Sequence, residues 1–430
     1  MIVAEYTIPG IHVRDHLVEV PLDWASRSGS VQVFARELSA PPRRDEDLPC
    51  LLYLQGGPGG KSPRPATATG WIGRALETHR VILLDQRGTG RSSRVEAATM
   101  SRFDTGEAAA DYLAHFRADS IVADAEHLRT HEFGGARWAT LGQSFGGFVT
   151  LTYLSQAPEG LSACYVTGGL ASLRPDAAEV YRRTYPRTVA KTREFYRRYP
   201  HHEETVAAVA DRLEAGDVRL VDGDALTVRR LQSLGQCFGM QHGFETVHYL
   251  LDEAWTRPGE QLSDTFLYQV RGRTAFVDNP LFAVLQESIY GDPASGAPGW
   301  AAQAERGRHP DFAESARPLL FTGEMIYPWM FEEIRGLRPF AGAADALARR
   351  TDWTPLYDRQ RLADNEVPVA AAVYFDDMYV DSGLQLATAA EVGNLHAWVT
   401  NEFEHDGLSD DRVLDFLTKA VDDRGGPLRR

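Results

Sequence analysis

Short apolar runs alternate with longer amphipathic stretches at both ends of this chain. Residues 11–22 and 31–38 are rich in β-branched side chains that partly alternate with polar ones, which predicts strands. Residues 51–54 and 81–84 are continuous apolar runs ending in glycine-rich turns, the pattern of strands buried on both faces. Helical spacing over 120–130 is followed by a strand pattern at 137–141, a helix at 145–154 and a strand at 162–166. After about residue 174 the pattern changes. Residues 175–335 are mainly helical in period and dense in aromatics. Alternation then resumes, with a strand at 367–375, a helix at 384–392, a strand at 395–400 and a helix at 413–420. The run 319–322 fits either a strand or the end of the helical region. Strands alternating with helices imply a mostly parallel sheet. The expected architecture is an α/β core made of residues 1–174 and 336–430, interrupted by a helical cap over 175–335.

Composition narrows the function classes. The net charge of −15 argues against a nucleic-acid partner and favours cationic ligands such as free amines. No stretch reaches about 18 apolar residues, so no membrane span is expected. The first residues lack a basic segment followed by an apolar one. Cys50, Cys164 and Cys237 fit neither a CxxC pair nor a zinc site, which suggests reduced thiols and a cytoplasmic location. No cofactor or metal is called for, and the oligomeric state is left open.

The sharpest motif is Gly142-Gln143-Ser144-Phe145-Gly146-Gly147, between a strand and a helix. A serine on such a turn is pushed into the open, and flanking glycines remove collisions with neighbouring strands. The helix that follows aims its first N–H groups at the same spot, so the Phe145 N–H can serve an oxyanion. A second glycine-rich turn, Gln55-Gly56-Gly57-Pro58-Gly59-Gly60, follows the strand at 51–54. Acyl transfer builds negative charge on a carbonyl oxygen, and backbone donors that can approach closely stabilise it. Gly57 is the preferred second donor, with Gly56 the alternative. Gly60-Lys61-Ser62 does not make this a phosphate loop, because the proline-containing stretch after it carries no helix pattern.

A nucleophilic serine needs a base, and the base needs an orienting carboxylate. Asp376, Asp377 and Asp381 follow the strand pattern at 367–375. His405 lies in the loop after the strand at 395–400, whereas His396 falls inside it and is the weaker base. The order serine, acid, histidine is that of hydrolases with a strand–serine–helix turn.

Three motifs together resemble the proline iminopeptidases, α/β-hydrolases with a helical cap. They are Gly56-Gly57-Pro58-Gly59, Asp85-Gln86-Arg87-Gly88-Thr89-Gly90-Arg91-Ser92 and the serine turn itself. The likeness covers about residues 51–167 and 321–408, and the middle looks like the longer-capped members. It implies a triad of Ser144, Asp377 and His405, and release of N-terminal proline from small peptides. It also implies a cap carboxylate that pairs with the free amine of the substrate. Glu324, in Thr322-Gly323-Glu324-Met325-Ile326-Tyr327, best matches that segment; Tyr327 joins it as a binding residue, and Glu245 and Glu287 are further carboxylate candidates. One position departs from the family: the glycine-rich loop opens with Gln55 instead of histidine. The rival reading is another capped serine hydrolase, such as an esterase, an amidase or a tripeptidyl-type aminopeptidase.

Overall fold

The computed structural model describes residues 1–429. Eleven strands are present among them: β1 (Ile2–Ile8), β2 (Ile11–Val20), β3 (Val31–Ser39), β4 (Cys50–Leu54), β5 (Arg80–Asp85), β6 (Trp138–Gln143), β7 (Leu161–Thr167), β8 (Trp255–Arg257), β9 (Gln261–Leu262), β10 (Val369–Tyr374) and β11 (Leu395–Thr400). Nine form one sheet in the order β1-β2-β3-β5-β4-β6-β7-β10-β11, and β8 pairs with β9 separately. The pairs β1–β2, β2–β3 and β3–β5 are antiparallel. From β5 through β4, β6, β7 and β10 to β11 every pair is parallel.

The continuous apolar runs have a simple cause. In β4, Leu52 and Leu54 enter the hydrophobic cluster on one face, and Leu51 and Tyr53 enter the one on the other. In β10, Val369, Ala371 and Val373 go one way while Ala370, Ala372 and Tyr374 go the other. Both faces are covered, so no position is left for a polar side chain. Helices Ala118–His131 and Phe145–Gln156 pack together on one face. Helices Gly70–Ala75 and Asp411–Asp422 meet on the other.

No strand of the main sheet lies between Thr167 and Val369 among the described residues. That span is helical apart from the small β8–β9 hairpin, and residues 319–322 are not a strand. By Ala341–Arg349 the chain is back against helix Gly106–Ala114.

The Asp85–Ser92 motif has an architectural role. The Asp85 carboxylate accepts from Ser62 N at 3.1 Å, from Arg64 at 2.9 and 2.5 Å, and from Arg91 N at 2.8 Å. Arg87 enters the core and makes a two-pronged pair with Asp124, at 2.7 and 2.6 Å. It also donates to the carbonyls of Pro21, Leu22 and His115. Trp24 Nε1 completes the Asp124 shell at 2.9 Å. Both charged side chains are essentially fully buried.

A buried pair of this kind is costly to break from one side, because the remaining charge is left uncompensated. Asp124→Ala is expected to lose about 3–5 kcal/mol in urea unfolding. The double substitution Arg87→Met/Asp124→Leu is expected to recover most of that loss. Equal losses in the two proteins would contradict this account of the motif.

Candidate active site

Ser144 sits between β6 and helix Phe145–Gln156 with φ 55° and ψ −123°. Such a backbone is strained for a residue with a side chain. The neighbours hold it there. Ser144 N donates to Thr167 O at 2.9 Å, and Gly147 N donates to Ser144 O at 2.7 Å. A Cβ at Gly146 would collide with the Leu54 carbonyl, and one at Gly147 with the Gly169 carbonyl. Strands β4 and β7 therefore approach the turn as closely as backbone allows. Phe145 opens the helix, so its N–H belongs to the first turn, which has no intrahelical acceptor.

The glycine-rich loop after β4 lies against this turn. A Cβ at Gly56 would stand 2.7 Å from Gln143 Oε1 and 3.0 Å from Ser144 Cβ. Gly57 has φ 126°, and a Cβ there would stand 2.9 Å from Gly60 N. The loop is tied down at both ends. Gln86 Nε2 donates to Gln55 O at 2.9 Å, and Ser62 Oγ donates to Leu84 O at 2.6 Å.

His405, in the loop after β11, and Asp377, in the loop after β10, are brought together. His405 Nδ1 lies 2.7 Å from Asp377 Oδ2, and both side chains are buried. The other Asp377 oxygen accepts from Tyr379 N at 2.8 Å and Val380 N at 3.1 Å, which fixes the carboxylate. His405 N donates to Gly239 O at 3.0 Å, and the Tyr379 ring stands edge-on to the imidazole at 4.8 Å. Gly168 (φ 54°) lets the chain pass beside the ring, since a Cβ there would be 3.2 Å from Nδ1. Burial works against the charged imidazolium, but the charge and hydrogen bond of Asp377 outweigh it, so the His405 pKa is raised.

The other two aspartates go elsewhere. Asp376 is exposed. Asp381 caps helix Ser382–Glu391 through Leu384 N and pairs with Arg187 at 2.9 Å. His396 lies in β11 with Nδ1 3.0 Å from Arg424.

Glu324 is half-buried and reaches the same cluster. Its carboxyl is pushed up to about 7 by burial, with the charge of Asp377 adding and the nearby His405 opposing. Gln286 Nε2 donates to it at 3.0 Å, while Gln286 Oε1 is buried without a partner among the described residues. Burial raises the phenols of Tyr181, Tyr290 and Tyr379, and the Glu324 charge raises them further, so these rings share its surroundings.

Three other expected binding residues have partners of their own. Both Glu287 oxygens accept from backbone N–H groups, Ala301 at 2.9 Å and Ala302 at 3.0 Å, so this carboxylate caps helix Ala301–Arg306. Glu245 accepts from Tyr199 at 3.3 Å and pairs with the exposed Arg198 at 2.5 Å. Tyr327 is fully buried, with its hydroxyl 2.9 Å from that of Tyr185. Sequence reasoning passed over Gln286, Tyr379, Gly168 and the Gly239 carbonyl. No motif marks them, and only the folded chain brings them to the site.

Two kinds of comparison bear on this geometry. A family described as "alpha/beta hydrolase fold" matches residues 49–208. A proline iminopeptidase from Aeromonas sobria is 47% identical over 419 residues, covering 96% of this chain and 97% of the relative. The proline iminopeptidase aneH of Aspergillus aculeatus is 34% identical over 406 residues, covering 91% of this chain and 89% of the relative. With an α/β-hydrolase sheet and near full-length likeness to both relatives, the chain belongs to the proline iminopeptidase family.

Proposed function

We propose that this protein is a serine exopeptidase that releases N-terminal proline from small peptides through an acyl-enzyme. The observation that carries the reading is the pairing of a fixed His405–Asp377 couple with a second carboxylate, Glu324, in one cluster. A hydrolase indifferent to charge has no use for the second group.

In this reading Ser144 Oγ attacks the prolyl carbonyl carbon. His405 Nε2 takes the hydroxyl proton, while Asp377 holds Nδ1–H and stabilises the imidazolium. The N–H groups of Phe145 and Gly57 receive the developing oxyanion. His405 then gives its proton to the leaving amine as the C–N bond breaks. Water, activated by the same imidazole, cleaves the ester and frees proline and Ser144.

The protonated secondary amine of an N-terminal proline carries two N–H bonds. In this reading they are accepted by the Glu324 carboxylate and by Oε1 of Gln286, which has no other partner among the described residues. An internal or acylated proline has neither the charge nor the donors. Residues 175–335 act as a cap that closes the amine end of the cleft, so that only a chain terminus fits. Gln55 leaves this chemistry intact, because the loop donates through its backbone.

The test is hydrolysis of proline and alanine aryl-amides beside N-acetyl-proline aryl-amide. Only the free proline substrate should turn over well, and Ser144→Ala should cut kcat by roughly 10⁴-fold or more. Cleavage of the acetylated substrate at a similar rate would instead assign the site to a general esterase or amidase.

Glu324→Gln should raise KM for free-amine substrates by about 10- to 100-fold, the worth of a hydrogen bond to a charged group. It should leave attack on a small neutral activated ester nearly unchanged. Equal losses on both substrates would make Glu324 structural.

The pH profile carries a sign. Neutral His405 is the active base, and its pKa is raised, so kcat/KM should rise with pH through a limb lying above that of an ordinary histidine. Asp377→Asn removes the group that raises it, so the limb in the residual activity should move to lower pH. A limb that stays in place would contradict the assignment.

A further inference from the structure

A second cluster of chemically capable side chains lies in the helical insertion, apart from the catalytic groups. Helix His201–Glu214 begins with His201 and His202, and helix Gly243–Asp252 carries His248 and Asp252 one turn apart. The two helices pack against each other. One ligand atom from each of the four residues lies within 4.8 Å of the others.

Hydrogen bonding accounts for only part of the cluster. His202 Nε2 and His248 Nδ1 are 2.7 Å apart, so one proton can be shared there. Asp252, however, bonds none of the rings closely. Its oxygens stand 3.5 Å from His248 Nε2, 3.7 Å from His202 Nε2 and 4.0 Å from His201 Nε2. A carboxylate acting as a plain acceptor would close to below about 3.2 Å on one of them. Oδ1 faces His201 and His202 and Oδ2 faces His248, so the carboxylate stands among three imidazoles without closing on any of them. Bonds of about 2.0–2.2 Å place the ligands of a tetrahedral ion about 3.3–3.6 Å apart, so small side-chain movements would suffice.

The surroundings suit a ligand set. His202 is 1% exposed, and its other ring nitrogen has no partner among the described residues. Tyr199 stacks on His248 at 4.2 Å, and Phe195 lies parallel to His202 at 5.8 Å, which fixes both ring planes. His201 and Asp252 are exposed and leave an entry path from solvent.

We propose that His201, His202, His248 and Asp252 form a binding site for one zinc-class divalent ion that staples the two helices. Three imidazoles and one carboxylate suit Zn²⁺ and its transition-metal neighbours, whereas Mg²⁺ and Ca²⁺ prefer all-oxygen sites. Four protein ligands leave no open position, so the role is structural. The helix carrying His248 and Asp252 starts just after Gly239, whose carbonyl holds the His405 backbone. The ion would brace that segment without entering the reaction.

The test uses the untagged full-length protein, stripped with a chelator and titrated with Zn²⁺ against a chromophoric competitor. One ion per chain should bind, and binding should raise Tm. The double substitution His248→Gln/Asp252→Asn lies at half-buried and exposed positions and so preserves the buried His202. It should weaken the binding by more than the roughly 10- to 100-fold that losing an outer-shell partner costs. It should also abolish the zinc-dependent Tm shift, while metal-free hydrolysis of proline aryl-amide stays unchanged. No saturable binding by the parent protein, or the same stoichiometry and affinity in the variant, would overturn the proposal.

Discussion

The rest of the structure depends on the backbone of Ser144. A left-handed φ of 55° at a serine persists only where its surroundings over-determine it. Here two strands do so. β4 presses on Gly146 and β7's exit on Gly147, while Thr167 O holds the Ser144 amide. Any side chain at Gly146 or Gly147 would push the strands apart. The parallel sheet and the serine turn are thus one object, because the close strand spacing that buries the sheet also holds the turn in its strained form.

The remaining site is hung on this turn by short connections. The glycine-rich loop touches Ser144 at Gly56 and is fastened behind by Gln86 and Asp85. His405 arrives from the loop after β11, and Gly168 allows it to pass next to β7. Two carboxylates then act on the imidazole. Asp377 is fixed by two backbone N–H groups and raises the basicity of His405. Glu324 is poorly solvated, and its pKa of about 7 lets a bound cation shift it to the charged form. His405 and Glu324 are therefore electrostatically linked.

The core strands were legible in the sequence because burial on both faces writes itself as uninterrupted apolar runs. Strands β4, β5, β6 and β7 fall where those runs predict, within a few residues. β1 was missed. It is an edge strand with mostly exposed side chains, so no burial pattern marks it. Ser144 and His405 could be nominated from motif and order alone, but three aspartates near 376–381 could not be separated without knowing which one faces β11's loop. The cap was the least readable part. Glu245, Glu287 and Glu324 look alike as letters, and only packing shows that Glu287 caps a helix and Glu245 pairs at the surface. Tyr327 is hard to read for the same reason: an aromatic in a helical region is equally suited to core and cleft. The Asp85–Ser92 motif was recognisable, yet its physical role, a buried ion pair and a loop anchor, could be read only from the fold.

The central claim joins one nucleophile to one charged terminus, and covalent labelling tests both at once. A fluorophosphonate probe should modify Ser144 alone, as read by peptide mass spectrometry. A non-hydrolysable peptide with a free N-terminal proline should slow that labelling, and its N-acetylated form should not. Modification at another residue, or equal protection by the two peptides, would contradict the account.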